Sequence, residues 1–313
     1  MVAAPESVPP AADPRSTSPP IMFRTSPILA TRRPAPSRGR APIARRTRGE
    51  ISAIAAAGEI VAAALDAGRR TASVGTSTAV VAESVEAVLE SRGAEAVLRS
   101  EFDFPAACCT SVNETVIHGV PSDRALVDGD LLSIDVACRF DGWCADAAIT
   151  VPVGEVDAGR TRLVAETEAT LQAAIAAIRP GRRWSEVARE LQERVERSGF
   201  ATITGWTGHG VGREVHEAPA APATLTAGLL GRGDFTLLPG MVLAVEPVLV
   251  LQAPPPSGGP CLRGVATVRG GDAWSVETAS GVPACHVEHT IAVTTRGAEV
   301  LTTMTATREG VEA

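Results

Sequence analysis

The sequence predicts an α+β domain with approximate twofold internal symmetry, in which an antiparallel sheet is covered by two pairs of helices. The order helix, linker, helix, strands occurs twice along the chain. Each unit has two helices to cover one face of a strand layer, and two such halves joined into one sheet leave a cleft at the join. In addition, several apolar strand-like runs each carry a single carboxylate. We therefore expect a functional site in that cleft.

The N-terminal segment has a different composition from the rest of the chain. It is rich in Pro, Arg, Ser and Ala, and the first 50 residues hold nine Arg and three acids. Such a segment buries too little apolar surface to offset the entropy of ordering it. We therefore expect a disordered tail over 1–47 and a single folded domain over 48–313. A basic tail can contact RNA or a ribosome, but a solvated tail is the simpler interpretation.

The first half begins with two segments of helical apolar spacing, "EISAIAAAGEIVAAALDAG" (50–68) and "TSTAVVAESVEAVLESRG" (76–93). Gly93 is predicted to end the second helix. Strand-like segments follow over about 107–151, which completes the first unit.

The second half repeats this order. Helical spacing returns in "RTRLVAETEATLQAAIAAIRPG" (160–181) and "WSEVARELQERVERSGF" (184–200), with Ser185 predicted to cap the last helix and Gly199 to end it. Strands and loops follow from residue 200. Within them, the segment 251–263 contains "PPP" and "SGG", which cannot continue a central strand and predict a protruding loop.

A hairpin in the first half brings two carboxylates together. The run "LLSIDVACRFDGWCADAAITV" holds Asp135 and Asp146 on either side of Asp141-Gly142, a strong two-residue turn signal. With that turn, the spacing of eleven residues places both carboxylates on one face, opposite or diagonal. A three-residue turn would place them on opposite faces. Burying two ionised carboxylates so close together is costly, unless they share a proton or bind cations.

The second half adds two more carboxylates in apolar strands, Glu246 in "MVLAVEPVLV" and Glu288 in "ACHVEHTIAV". It also supplies His209 and His216 in the glycine-rich "TGHGVGREVHEAP". A shared proton can relieve the repulsion within one pair of carboxylates, but it cannot relieve the repulsion among four carboxylates. Four carboxylates and a neutral imidazole are typical of a site for two divalent cations.

Each of these residues has a simpler interpretation when taken singly. A lone acid in a strand pattern is usually an exposed edge residue, and a lone histidine is usually structural. On that ground His286 is interpreted as a strand surface residue. It is the joint occurrence of the others that favours a metal centre.

Composition excludes several functional classes. The chain has 313 residues, is 45% hydrophobic, and carries a net charge of −7, with an acidic body after the basic tail. The acidic body argues against general binding of nucleic acid. No run approaches the roughly 18 apolar residues of a membrane span. The six cysteines form no CxxC pair and are expected to be reduced thiols of a cytoplasmic protein.

Five segments resemble the motifs of the methionine aminopeptidases in order and approximate spacing: "SVNETVIHGVP", "IDVACRFDGWCADAAIT", "GHGVGREVHEAP", "LLPGMVLAVEP" and "VEHTIAVT". The resemblance is to the type I branch of this peptidase family, M24, and covers roughly residues 48–302. It implies the pita-bread aminopeptidase fold. It also implies a metalloaminopeptidase that removes the initiator methionine of nascent proteins when the second residue is small, by attack of a metal-bridging hydroxide.

The resemblance also assigns residues. It implies two divalent metal ions (Co, Mn, Fe or Zn) held by Asp135, Asp146, His209, Glu246 and Glu288. Asp146 and Glu288 match the bridging pair. For catalysis it implies that His118 and His216 contact the substrate and the reaction intermediate, and that Glu246 accepts and returns a proton. The substrate-binding positions that match the family are His118, Phe104, Cys109, His216 and Trp274.

The sequence departs from the family pattern near the substrate pocket. Charged Glu101 and Asp103 stand beside Phe104, and Val215 stands where a Phe is common. These departures affect the expected substrate scope and leave the ligand positions intact. We expect a cytoplasmic monomer whose partners are the N-termini of nascent polypeptides, with the ribosome as a further candidate partner.

Two alternatives remain at this stage. One is an Xaa-Pro aminopeptidase or prolidase, which shares the fold and has similar ligands. The other is a metal-free binding module of the same fold.

Overall fold

The computed structural model describes residues 42–252 and 265–304. Its helices are α1 (Arg48–Thr71), α2 (Thr78–Ser91), α3 (Val97–Phe102), α4 (Ala158–Ala177) and α5 (Trp184–Ser198), with a π-helical turn at Leu229–Gly233. Its strands are β1 (Glu95–Ala96), β2 (Cys109–Val112), β3 (Thr115–Ile117), β4 (Leu131–Phe140), β5 (Trp143–Pro152), β6 (Ala201–Thr202), β7 (Gly208–Gly210), β8 (Glu217–Ala221), β9 (Val242–Val245), β10 (Val248–Val250), β11 (Thr267–Arg269), β12 (Val276–Thr278), β13 (Ala284–His286), β14 (His289–Val293) and β15 (Ala298–Val300).

Two antiparallel sheets form the centre of the fold. In the first half, β4 pairs with β1, β2 and β5. In the second half the strand order is β15-β14-β9-β7-β8. Smaller sheets, β13-β10-β6 and β11-β12-β3, flank them. The predicted α+β architecture is confirmed.

Each half has its own hydrophobic core between a helix pair and strands. Val61 and Leu65 of α1 are buried with Val85 of α2 against the β4–β5 hairpin. In the second half, Trp184 and Leu191 of α5 are buried in a cluster shared with α4, β9 and β14. Complete burial of a large apolar side chain stabilises the fold by about 1.5–3 kcal/mol, so these two cores hold the sheets in place.

Backbone contacts join the two halves along β5. Ala148 and Glu288 exchange hydrogen bonds between their backbones, of 3.3 Å and 2.9 Å. Nearby, the Asp146 N–H donates to Thr290 Oγ1 at 3.0 Å, and that hydroxyl donates to the Asp146 carbonyl at 2.7 Å. The predicted join between halves therefore lies at two of the predicted site residues.

The helix ends test three sequence predictions. Gly93 and Gly199 both adopt positive φ just after α2 and α5, as predicted. The prediction that Ser185 caps α5 is wrong, because Ser185 lies inside the helix and Arg183 is the N-cap. The Ser185 N–H and hydroxyl both donate to Asp234, at 3.0 Å and 2.8 Å. The distant carboxylate of Asp234 thus bonds the first turn of α5 beside a local bond, from the Arg183 N–H to Glu186 Oε2 at 2.7 Å.

Among the described residues, α1 is long and apolar enough to span a membrane by length and composition. In this fold it serves as a core helix. Its buried face packs on α2 and the first-half hairpin, and 56% of its most apolar window is buried.

The packed part of the chain starts earlier than the predicted boundary at Arg48. The Arg46 N–H donates to the Gly240 carbonyl at 2.6 Å, and the Arg46 side chain pairs with Glu217. Thr47 caps α1 in a capping box with Glu50. Of the predicted tail, residues 1–41 lie outside the described residues, as do residues 253–264 of the predicted protruding loop.

Two truncated chains test this boundary. A chain that starts at Arg48 lacks the Thr47 cap and the Arg46 contacts, whereas one that starts at Pro42 keeps both. Loss of the cap alone costs about 1 kcal/mol. We expect the Arg48 chain to have a free energy of unfolding lower by at least that amount in urea denaturation. Equal stability of the two chains would show that residues 42–47 do not belong to the folded unit.

Candidate metal centre

The β4–β5 hairpin places the first two carboxylates. Asp141 and Gly142 form a two-residue turn with φ of 48° and 74°, as the Asp-Gly signal predicts. Asp146 lies opposite Ala137, two residues from Asp135 on the neighbouring strand. The two carboxylates are therefore diagonal neighbours on one face, which confirms the conditional prediction from the spacing.

Glycines place His209 in β7, between β8 and β9. A Cβ at Gly208 would collide with the carbonyl oxygen of Ala244, and one at Gly210 with that of Ala218. The glycines are therefore needed for the close approach of the neighbouring strands. The His209 side chain consequently reaches the same cleft as the aspartates.

Glu246 and Glu288 complete the cluster from the second half. Glu246 follows β9, and Glu288 lies between β13 and β14 with its backbone bonded to Ala148. Within the described part of the chain, ligand atoms within 4.8 Å of one another form three groups. These are Asp135, Asp146 and Glu288; His209, Glu246 and Glu288; and Asp146, His209 and His216. The five residues that the family resemblance assigns as ligands thus lie close together.

The carboxylates are buried with few partners. Asp146 and Glu288 are 6% and 2% exposed, and Asp146 Oδ1 and Glu288 Oε1 have no hydrogen-bond partner among the described residues. Burial raises the pKa of Asp135 to about 7. Burial first, and then the neighbouring carboxylates, raise the pKa values of Asp146, Glu246 and Glu288 well above the usual range.

The imidazole of His209 is prepared to act as a ligand. Its Nδ1 lies 3.1 Å from the Gly210 carbonyl, so Nδ1 carries the proton and Nε2 keeps its lone pair. That Nε2 lies 3.5 Å from Glu246 Oε1 and 3.8 Å from Asp146 Oδ2. Burial lowers the pKa of His209 to about 3, so the ring is neutral and these contacts are not ion pairs.

The donor set fits divalent cations. Four mutually repelling carboxylates and one neutral imidazole share a small buried volume, and two carboxylate oxygens face it unpaired. Cations relieve the repulsion and satisfy the unpaired oxygens, and this mixture of oxygen and nitrogen donors suits Mn, Fe, Co or Zn.

A cavity of about 170 Å³ lies at this cluster and is lined in part by the five predicted ligands themselves. His118 and His216 line it together with the apolar side chains of Leu98, Ile117, Trp206 and Val215. His118 has a left-handed backbone, with φ of 57°, and its Nδ1 is buried without a partner in the described residues. A non-glycine residue in this conformation persists only where its surroundings hold it, and such residues cluster at functional sites.

The other predicted substrate-binding residues lie behind the cavity wall. Phe104, Cys109 and Trp274 pack together with Leu98, and the rings of Phe104 and Trp274 meet edge to face at 5.3 Å. They do not line the cavity, but Leu98 belongs both to their cluster and to the cavity wall, and Cys109 pairs with Asp135 across β2 and β4. Sequence reasoning missed Leu98 and Trp206 as wall residues, because no motif marks them.

The two charged residues near Phe104 that depart from the family pattern are not part of the cavity wall. Glu101 pairs with Arg139, and Asp103 ends α3 in a left-handed conformation with φ of 57°. Neither residue lines the cavity. The adjacent Phe102 ring packs edge to face on His216, with ring centroids 5.5 Å apart.

The interpretation of His286 as a strand surface residue is wrong. It is 2% exposed and lines the same cavity, with Nε2 at 3.7 Å from Glu288 Oε2 and 3.8 Å from Glu246 Oε2. The signal that could have found it is its position two residues before Glu288. Residues i and i+2 of an extended chain share a face.

The raised carboxyl pKa values predict proton release on metal binding. A carboxyl group with an ordinary pKa near 4 has no proton to lose at pH 6.5. Because the pKa of Asp135 is about 7 and the other three are also raised, the metal-free centre holds protons at that pH. Metal binding requires ionised carboxylates. We expect Zn²⁺ or Mn²⁺ to displace protons at pH 6.5 and to bind more tightly as the pH rises to about 7. Calorimetric titrations in buffers of different ionisation enthalpy measure the release.

His209 should contribute no proton, since its pKa of about 3 leaves it neutral at pH 6.5. Metal binding with no buffer dependence of the heat would mean that the carboxylates are already ionised in the free protein, which contradicts this description.

Comparison with known proteins gives the site its family. Residues 52–295 match metallopeptidase family M24. The chain is 41% identical over 273 residues to methionine aminopeptidase 1 of Mycobacterium tuberculosis, covering 85% of this chain and 97% of that protein.

Solved structures give the same result. The methionine aminopeptidase of Thermotoga maritima superposes with a TM-score of 0.76 at 36% identity, covering 83% of this chain and 99% of that one. The prolidase of Pyrococcus furiosus, at a TM-score of 0.65 and 24% identity over 84% of this chain and 66% of that one, shares the pita-bread fold only. The predicted fold is thereby confirmed, and the Xaa-Pro alternative is not favoured. The chain belongs to metallopeptidase family M24 and, within it, to the methionine aminopeptidases.

Proposed function

We propose that this metal-dependent hydrolase removes the initiator methionine from nascent proteins whose second residue is small. The observation that best supports this proposal is the buried cluster of four carboxylates and His209. The cluster lines a small cavity that also has apolar walls. Asp135, Asp146, His209, Glu246 and Glu288 would hold two divalent ions, with Co, Mn, Fe and Zn as candidates. Divalent ions in such a site supply Lewis-acid chemistry, polarising a carbonyl and activating water near neutral pH.

The cavity is suited to one unbranched apolar side chain. Its walls from Leu98, Ile117, Trp206 and Val215 offer the surface on which a flexible thioether packs well. The second cluster, of Phe104, Cys109 and Trp274, packs with Leu98. The predicted ligands line the same cavity of about 170 Å³, so a side chain bound there would lie next to the ions. This supports removal of a terminal residue whose apolar side chain is held beside the metal centre.

We propose that two histidines lining the cavity, His118 and His216, act on the reacting carbonyl. Burial lowers the pKa of His118 to about 3 and that of His216 to about 4, so both rings are neutral near pH 7. A neutral imidazole still donates one N–H, which stabilises negative charge on the carbonyl oxygen as it develops. His216 is held by the edges of the His209 and Phe102 rings, at centroid distances of 4.2 Å and 5.5 Å. Glu246 borders the same space and is the carboxylate proposed to accept and return a proton.

The partners proposed for this activity are the N-termini of nascent polypeptides, with the ribosome as a candidate surface for recruitment. We further propose that the protein acts as a monomer in the cytoplasm. The metal-free binding module is the weaker alternative, because all five ligand positions are present and gathered.

The direct test is methionine release. We expect the metal-loaded protein to release Met from Met-Ala-Ser and Met-Gly-Met-Met. A chelator should stop this activity, and addition of Mn²⁺, Fe²⁺, Co²⁺ or Zn²⁺ should restore it. Xaa-Pro peptides serve as the comparison. Cleavage of Xaa-Pro peptides without methionine release would overturn the proposal.

Replacement of Asp146 by asparagine tests the ligand set. An amide carries no charge and cannot bridge two ions as a carboxylate does, so D146N should lose bound metal and fall below about a tenth of wild-type activity. Asp130→Asn is the matched control. Asp130 is also buried, but it bonds Asn113 and the Val127 N–H outside the cavity. Metal analysis of D130N should give the wild-type content, and a D146N protein with full metal load and activity would refute the bridging role.

His118→Ala separates substrate contact from metal binding. His118 matches a family position that contacts the substrate and is not one of the five proposed ligands, so the variant should keep its metal. Loss of a donor to the carbonyl oxygen typically lowers kcat about 100- to 1000-fold. Metal analysis and steady-state kinetics on Met-Ala-Ser measure the two effects separately. A metal-free variant would instead assign His118 to the metal centre.

A further inference from the structure

His286 is held rigidly at the edge of the metal centre. It is the last residue of β13, where it pairs with Val248 of β10. Its N–H donates to Thr150 Oγ1 at 3.0 Å, and its carbonyl accepts from the same hydroxyl at 2.8 Å. The side chain is 3% exposed. The backbone therefore fixes where the imidazole projects.

The ring nitrogen facing the cavity has no partner. Among the described residues, His286 Nε2 makes no hydrogen bond. Its neighbours are Glu288 Oε2 at 3.7 Å and Glu246 Oε2 at 3.8 Å. Both distances exceed the roughly 2.7–3.2 Å of an N–H···O hydrogen bond. A buried polar atom left in this state costs about 1–3 kcal/mol, so something else is expected to satisfy it.

The same distances suit ligands of a shared ion. Nitrogen and oxygen donors lie about 2.0–2.2 Å from Zn²⁺, so two ligands of one ion are at most about 4.4 Å apart. His209 Nε2 stands in the same relation to its carboxylates, at 3.5 Å and 3.8 Å. Glu246 lies between the two imidazoles, with Oε1 towards His209 and Oε2 towards His286.

We infer that His286 Nε2 is a sixth protein donor to the metal centre, on the side of Glu246 and Glu288. The inference rests on the proposed function, because it assumes that cations occupy the cluster. A second imidazole also has a consequence for metal choice. Imidazole suits Zn and Fe, whereas a centre of carboxylates suits Mn. His286 should shift the preference of this chain from Mn²⁺ towards Zn²⁺ or Fe²⁺.

The test counts imidazole ligands in the zinc-loaded protein by X-ray absorption and measures metal affinity by calorimetry. His286→Gln should lose one of two imidazoles per centre, weaken Zn²⁺ binding roughly 10- to 100-fold, and weaken Mn²⁺ binding less. His209→Gln is the positive control, and its imidazole count should fall equally. His289→Gln is the matched negative control, since His289 lies on the same segment but its Nδ1 is 2.9 Å from Thr302 Oγ1.

The outcomes separate this inference from the proposed function. If wild-type protein binds no divalent metal, the proposed function fails before any variant is made. If the wild type binds metal and H286Q keeps both the imidazole count and the zinc affinity, His286 is not a ligand. Weaker binding with an unchanged imidazole count also overturns the assignment, because His286 would then act only through the glutamates.

A measurement on the wild-type protein covers the case in which H286Q does not fold. In crystals grown with Zn²⁺, the anomalous map locates each ion directly. An ion about 2.0–2.1 Å from His286 Nε2 upholds the assignment. Ions that all lie beyond about 3 Å from this atom overturn it.

Discussion

The burial of four carboxylates at the junction of two half-domains is the constraint on which the rest of the structure depends. Taking even one ionised carboxylate out of water costs several kcal/mol, and neighbouring like charges add to that cost. The raised pKa values of Asp135, Asp146, Glu246 and Glu288 record this conflict in the metal-free protein. Cations resolve it, so the feature that is most costly to the fold is also the one that provides the chemistry.

The repeated architecture explains how such a cluster is assembled. Each half has its own hydrophobic core and brings one pair of acids to the join. The hydrogen bonds between Ala148 and Glu288, and between Asp146 and Thr290, tie the halves together beside the ligands themselves. The two cores are independent of the metal and fix the strands, so Asp135, Asp146 and His209 are held within strands, and Glu246 and Glu288 next to strand ends.

The parts predicted from sequence are those encoded by local signals. The Asp-Gly turn and the spacing of eleven residues determined the face shared by Asp135 and Asp146. The missed features depend on partners distant in sequence. The Ser185 hydroxyl donates a hydrogen bond to Asp234. The Arg46 side chain pairs with Glu217, which lies 171 residues further along the chain. His286 was misjudged because it was considered singly and not together with Glu288, two residues on, which shares its face. The cavity wall from Leu98 and Trp206 likewise arises only in the folded chain. The roles carried over from the family remain predictions for these residues.

The central claim is that cations stabilise this junction, and the metal dependence of the free energy of unfolding tests it most directly. A ligand that binds only the folded state raises stability with the logarithm of its free concentration, by RT for each bound ion. Urea unfolding at fixed pH across a series of buffered Zn²⁺ concentrations should therefore give a rising line with a slope of about twice RT for two ions. Stability that is the same in chelator and in saturating metal would contradict the account.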